Sequence, residues 1–514
     1  MKKKKRKKSV LPVVIVIGLI LLVSICGVIS FLAEHYRPGT ERMEGTEYFG
    51  LTDENEVALI QNGTVREEKG ILIGGEAYGT YEYVVSQLNS CFYWDQDTEQ
   101  ILLNAKEEIK GLVPGDTSIC TTPNGQAAVQ RLEDGTVCIS LDVVKEYTDM
   151  DYAFYSDPNR VVIRTDFEQL QQAEVIAEES QVRYRGGIKS AILTDVHAKD
   201  TLFVLDEMDE WSKVETEDGY IGYIQKEDLS ETSPAALREV SVNEGFSKLS
   251  RDHKINLVWH QTTSQGANAA LGSMIEDMSG VNVISPTWFS VTDNSGTLFD
   301  LSSADYVREA HDAGLEVWGL IDNFNQNFDS TEALASSAVR TNMISQLMAA
   351  AESCGLDGIN VDFENLKEAA IPHFIQFLRE LTIEAHKRNL VISVDTPVPQ
   401  SYTAYYDRGE QAKYVDYVIM MGYDEHYSGS DEAGSVASLP FVQSGIEVLL
   451  EDIPKEQIIC GIPFYTRVWI ENFGQNAVTS EVLGMDGASE YVQQAGMAVN
   501  WDGELGQNVA ISET

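Results

Sequence analysis

Cysteine is scarce in this chain, with six in 514 residues, and one of those, Cys26, sits inside a long apolar run. The other five, Cys91, Cys120, Cys138, Cys354 and Cys460, are odd in number and cannot all pair with one another. None falls in a C-x-x-C or Cys/His spacing, which leaves no basis for a zinc module, although Cys120 with Cys138 is a candidate disulfide. Positive charge is scarce too: 37 Lys and Arg stand against 81 Asp and Glu, for a net charge of −44. Seven of those cations lie in Lys2–Lys8, and without them the remainder carries −51. So acidic a body repels nucleic acid and anionic lipid, and we set nucleic-acid functions aside. No two-His-plus-carboxylate spacing is present either, so neither a metal nor another cofactor is expected.

Long hydrophobic runs are confined to one place. After the basic tail, residues 1–9, positions Val10 to Ala33 are largely apolar. As a helix, those two dozen residues would span roughly 36 Å, enough to cross a bilayer core. Positive charge stays on the cytoplasmic side, so the rest of the chain should face outward, toward the cell wall. A cleavable signal peptide is the other reading. The run is longer than a usual signal core and lacks a clear small-x-small cleavage site, which favours a retained single-pass membrane anchor. Bulky Ile25 before Cys26 argues against lipidation.

Residues 34–53 are polar and aperiodic and read as a linker. Residues 54–166 contain an internal echo. Tyr83–Leu88, Tyr93-Trp94-Asp95 and Ile101-Leu102-Leu103 are matched later by Asp142–Tyr147, Phe154-Tyr155-Ser156 and Val161-Val162-Ile163. Each copy reads as a short helix followed by a hairpin with a polar turn. The pattern loosely resembles the small α+β domain at the N-terminus of copper amine oxidases, without copper ligands. Residues 172–231 differ, with short β runs and tight turns. Trp211–Ile224 alternates apolar and polar residues around Asp218-Gly219, a hairpin signal. This all-β stretch resembles a bacterial Src-homology-3-like barrel of the kind that accompanies cell-wall enzymes.

From residue 250 to 514 apolar β runs alternate with amphipathic helices, the pattern of a parallel α/β fold. Strands are expected at Ile255–Trp259, Val281–Pro286, Glu316–Ile321, Gly358–Glu364, Val391–Asp395, Tyr417–Tyr423 and Ile458–Pro463. Helices are expected at Ser303–Ala313, Thr331–Ser353, Ile371–Arg388 and Phe441–Leu450, with Gly314 and Gly355 as C-terminal stops. No Gly-x-Gly-x-x-Gly follows the first strand, so seven β/α units fit a TIM (β/α)8-type barrel better than a doubly wound sheet. Catalytic groups then belong at the C-terminal strand ends. An insertion subdomain begins at about residue 470, and the sequence ends without an eighth strand, so a barrel truncated before that strand is expected.

The stretch Asp357-Gly358-Ile359-Asn360-Val361-Asp362-Phe363-Glu364 organises this half. Its alternation sends Asn360, Asp362 and Glu364 to one face and three apolar residues to the other. Two acids and an amide on a buried strand are costly unless that face lines a wet, working cavity. The run resembles the D-G-x-D-x-D-x-E signature of glycoside hydrolase family 18, the chitinases and related N-acetylglucosaminidases, which are TIM barrels. It matches at Asp357, Gly358, Asp362 and Glu364 and departs at Asn360, where most chitinases carry Asp. Members resembling the spore-cortex-lytic branch of Gram-positive bacteria often carry Asn there. Met421-Gly422-Tyr423-Asp424 resembles the family's M-x-Y-D motif. Ser285–Phe289 and Gly461–Arg467 end two further strands much as in that branch.

The resemblance implies a hydrolase that recruits the substrate's own acetamido group. Glu364 would protonate the leaving oxygen and later activate water. Asp362, with its Cα roughly 6.6 Å from that of Glu364, would orient the acetamido group and raise the acid's pKa. Tyr423 would donate to the acetamido oxygen, with Asp424 beside it, and Asn360 would hydrogen-bond Asp362. Trp259, Trp288, Met421, Tyr465, Arg467 and Trp469 are candidate substrate contacts, the aromatic rings among them for sugar stacking. Asp357 reads as a turn or capping acid. The expected function is a membrane-anchored glycosidase acting on β-1,4-linked N-acetylglucosamine polymers, peptidoglycan or chitin. The alternative is a non-catalytic saccharide-binding or cell-wall scaffold protein.

Overall fold

The computed structural model describes residues 11–105, 108–167, 170–235, 246–472 and 477–512, so the basic run Lys2–Lys8 and Val10 lie outside the described residues. One helix runs from Leu11 to Tyr36. Its stretch Ile17–Tyr36 has a mean hydropathy of 2.4, is nowhere buried against protein, and is long and apolar enough to cross a membrane.

The chain divides into two compact units, Met1–Ser90 with Pro114–Asn243, and Cys91–Val113 with Glu244–Thr514. In the first unit one seven-stranded sheet sets Arg160–Arg164 parallel to Glu56–Gln61. A second seven-stranded sheet includes the expected hairpin, Trp211–Glu215 paired with Ile221–Gln225. Its turn needs Gly219 at φ 88°, a left-handed conformation that a side chain resists. Residues 34–53 are more than a linker. Gly45–Phe49 is a short helix, and Phe49 packs against Ala58, Ile60, Val162 and Tyr220. Cys138 is a buried free thiol, so the disulfide with Cys120 does not form.

The internal echo is real in local structure but its two copies go different ways. The second hairpin, Asp151–Tyr155 with Arg160–Arg164, stays in the first unit's sheet. The first, Phe92–Asp95 with Gln100–Ala105, joins Glu108–Leu112 in a separate three-stranded sheet that belongs to the second unit. Residues 54–166 are therefore not a single domain. The reason is visible in the side chains. Asn104 exchanges hydrogen bonds with Gln376 at 2.9 and 3.0 Å, and the guanidinium of Arg340, fully buried, meets Tyr93 Oη at 3.4 Å and Asp95 at 3.8 Å. Buried polar groups need such partners.

In the second unit seven strands lie parallel in chain order: β1 (Leu257–His260), β2 (Val283–Val291), β3 (Glu316–Asp322), β4 (Gly358–Asp362), β5 (Val391–Pro397), β6 (Tyr417–Met421) and β7 (Ile458–Gly461). Between them run α1 (Ala304–Asp312), α2 (Ser337–Cys354), α3 (Ile371–His386) and α4 (Leu439–Asp452). Gly314 and Gly355 stop their helices at φ 79° and 78°. The helix expected over Thr331–Ser353 is two, because Ser336 breaks it and caps α2 through Val339 N. The outward residues Ile359, Val361 and Phe363 pack with Phe374, Phe377 and Leu378 of α3. That is a TIM-barrel-like β/α arrangement, with strand C-termini gathered at one end. Beyond β7, Tyr465–Asn472 pairs antiparallel with Ala477–Gly484, and a helix follows at Met485–Gln494.

Candidate active site

Parallel register places a row of acids at the C-terminal ends of three neighbouring strands. Asp322 of β3 pairs with Asp362 of β4, and Val361 pairs with Val394 of β5, so Asp395 follows level with Asp362. Paired residues on parallel strands point to the same side, about 4.8 Å apart. Two positions beyond Asp362, past the outward Phe363, stands Glu364.

Asn360 lies one layer below these acids, fully buried rather than facing a wet cavity. Its Nδ2 donates to Ser393 Oγ at 3.1 Å and to Asp395 Oδ1 at 2.8 Å, while its Oδ1 accepts from Trp259 Nε1 at 3.0 Å and Ser285 Oγ at 3.2 Å. The amide thus ties β1, β2, β4 and β5 together through the barrel interior. It does not bond Asp362, contrary to expectation, because all its hydrogen-bonding capacity points to other strands.

Glu364 is held by its backbone. Asn323, just past β3, accepts from Glu364 N at 2.9 Å and donates to Glu364 O at 2.9 Å. Burial, then Asp424 and Asp322, push the Glu364 carboxyl above its ordinary range. The expected cause was Asp362; the charge acts the other way, Glu364 adding to burial to push Asp362 up to about 7. Asp395 is raised well above the carboxylate range by burial and by Asp362, and Asp322 is raised by burial. Burial followed by Asp395 and Asp362 keeps Tyr423 protonated, a hydroxyl donor. Asp424 adopts φ 59° and accepts from Tyr465 Oη at 2.6 Å. A half-buried acid whose carboxyl is raised, beside a second carboxyl and a phenol donor, is chemically equipped for general acid catalysis.

Residues 260–507 match the family model described as "Glycosyl hydrolases family 18". They form a family 18 glycoside hydrolase domain. The chain is 26% identical over 202 residues to the "Putative sporulation-specific glycosylase YdhD" of Bacillus subtilis, covering 38% of this chain and 48% of that protein. It is 26% identical over 231 residues to the "Uncharacterized glycosylase YvbX" of the same organism, covering 42% of this chain and 66% of that one. The chain therefore spans about half to two thirds of the length of these curated relatives. Among solved structures, the chitinase of Chromobacterium violaceum aligns at 19% identity and a TM-score of 0.44, over 50% of this chain and 81% of that one.

Around the acids of the family 18 domain the aromatic residues separate into two groups. Trp259, Tyr423 and Tyr465 form a chain of edge-on contacts, with ring centres 6.4 and 6.2 Å apart. Gly461 lets the Trp259 indole approach, since a Cβ there would come within 2.9 Å of Trp259 Cη2. Trp288 belongs elsewhere. It is 1% exposed, packs on Tyr306 and donates to Asn268 Oδ1 at 2.8 Å, so it offers no face to a sugar. Sequence alternation could not reveal this, because β2 is buried on both sides. Met421 is buried at the end of β6. Trp469 donates to Gly434 O at 2.8 Å and Arg467 to Ser480 Oγ at 3.1 Å, both on or near the strand Tyr465–Asn472. Asp357 is structural, accepting from Val317 N and pairing with His311 Nε2, both at 2.8 Å.

Sequence reasoning missed Asp322, Asn323 and Asp395. Each lies at or just beyond the C-terminal end of a strand already identified, which was the available signal. It also passed over Phe324, Tyr402 and Tyr427, exposed aromatics on loops that follow β3, β5 and β6.

Proposed function

We propose that this domain hydrolyses β-1,4-linked N-acetylglucosamine polymers with retention of configuration, using the substrate's acetamido group as nucleophile. The observation that carries the reading is the pairing of Glu364 with Asp362 at the C-terminal end of β4, the acid with its carboxyl raised and its backbone clamped. Glu364 protonates the leaving oxygen and then takes a proton from the water that opens the oxazolinium ion. Asp362 faces the acetamido N–H and balances the positive charge, and Tyr423 donates to the acetamido oxygen. Asp424 holds Tyr465 at the rim. Trp259 floors the site while Phe324, Tyr402, Tyr427 and Trp469 offer faces further out along a groove. The 26% identity to a protein named as a sporulation-specific glycosylase and the apolar N-terminal helix favour peptidoglycan over chitin, with the helix Leu11–Tyr36 as the tether on the outer face of the membrane. The two seven-stranded sheets of the first unit, the second of them read as Src-homology-3-like, would serve as wall-facing spacers.

Wild type and Glu364→Gln, assayed on N-acetylglucosamine oligomers and on peptidoglycan, test this. Turnover by wild type alone, with both proteins binding oligomer, is the expected result. Binding by both with turnover by neither would make the protein a saccharide-binding scaffold instead.

A further inference from the structure

We propose that Asp395 is the proton-sharing partner of Asp362, a positioning residue that supplies from β5 what a carboxylate at position 360 would supply from β4. The inference rests on the reading above that Asp362 faces the acetamido group. Three observations carry it.

The first is register: β4 and β5 pair Asn360 with Ser393 and Val361 with Val394, which brings Asp362 and Asp395 to the same level and the same side. The second is what Asn360 does. Its Oδ1 is taken by Trp259 and Ser285, so its Nδ2 is turned toward β5 and fixes Asp395 Oδ1 at 2.8 Å. Asn360 has nothing left for Asp362. The third is an orphan atom: Asp362 Oδ1 is buried and has no hydrogen-bond partner. A buried carboxylate oxygen without a donor is costly, and a protonated Asp395 beside it is the donor that register provides.

The surroundings push the same way. Asp322 faces the pair from β3, Glu364 from just beyond β4 and Tyr423 from beyond β6, with Trp259 on β1, while Asp424 acts on Glu364 and Tyr465 on Tyr423. The charges that act on Asp362 are those of Glu364 and Asp322, with no Lys or Arg among them. Two acids so placed hold one proton between them. Asp395, only 3% exposed, keeps it, and Asp362 carries the single negative charge toward the developing oxazolinium. The pair neither gains nor loses a proton through the cycle.

The test uses the full chain. Infrared spectra at neutral pH of wild type and Asp395→Asn are compared for the carbonyl stretch of a protonated carboxyl group. Asn keeps an Oδ1 for Asn360, so the fold is retained. Both proteins keep the band of Glu364, and wild type is expected to show a second protonated-carboxyl band, from Asp395, that Asp395→Asn lacks. In parallel, Asp395→Asn should lower kcat by about tenfold or more with KM little changed and displace the pH profile, and Asn360→Asp with Asp395→Asn should recover most of that loss. An unaltered second band and pH profile in Asp395→Asn would overturn the proposal. Should wild type turn over no substrate, the glycosidase reading fails by itself, and the second infrared band still decides whether the proton is shared.

Discussion

Replacing Asp362 by Asn should stabilise the folded protein at neutral and higher pH while destroying its activity. The folded-state carboxyl is raised from 3.8 to about 7, by burial first and then by Glu364 and Asp322. A raised acid binds its proton more tightly in the native state than in the unfolded chain, so its contribution is fully favourable below the unfolded pKa. It is lost as pH climbs through the folded value. A shift of that size corresponds to an upper figure of about 4 kcal/mol, of which solvent reaching the partly exposed Asp362 relieves a part. Asn has no charge to bury. The stability difference, variant minus wild type, should therefore be near zero at pH 4, rise between pH 4 and 7, and level off above, at about 1–4 kcal/mol. Urea unfolding followed by tryptophan fluorescence at several pH values measures it. Six of the seven tryptophans, all but Trp211, lie in the unit that holds the barrel, so the signal reports that unit. A difference independent of pH, or one that grows as pH falls, would refute the placing of Asp362 among buried like charges.

Three further outcomes follow from the same geometry. Asn323→Ala removes both hydrogen bonds that hold the Glu364 backbone, and steady-state kinetics should show kcat down by about 10–100-fold while circular dichroism is unchanged. Asn104→Ala removes both hydrogen bonds between Asn104 and the buried Gln376, leaving it Glu380 and a longer contact with Arg379, and should cost about 1–3 kcal/mol in the barrel's urea transition, without altering the KM of folded enzyme. Gly461→Val drives a methyl group toward Trp259 and Met420 O, 2.9 and 3.1 Å from the position of Cβ, at about 1–3 kcal/mol, and should reduce kcat by displacing the indole; a thermal scan and a rate measurement check both.

All seven barrel strands and the two glycine stops were legible in the sequence because β/α alternation and left-handed caps are local signals. The tie between Asn360 and Asp395 was not, since 35 residues separate them and only the strand register joins them. Trp288 was misplaced for a related reason: a strand buried on both faces gives no alternation by which to tell inside from outside. The hairpin Phe92–Ala105 looked like a twin of Tyr152–Ile163. Its different destination is set by Asn104, Asp95 and Tyr93 finding Gln376 and Arg340, pairings that no periodicity announces.

The central claim is that the sugar's own amide, held between Asp362 and Tyr423, performs the displacement while Glu364 moves the proton. The anomeric form of the first product is its most direct test, read by proton magnetic resonance within the opening minutes of cleavage of an N-acetylglucosamine oligomer. The β-anomer should appear first, and oligomers lacking the N-acetyl group should not be cleaved. An α-anomer formed first, or equal cleavage of the de-acetylated oligomer, would contradict the account.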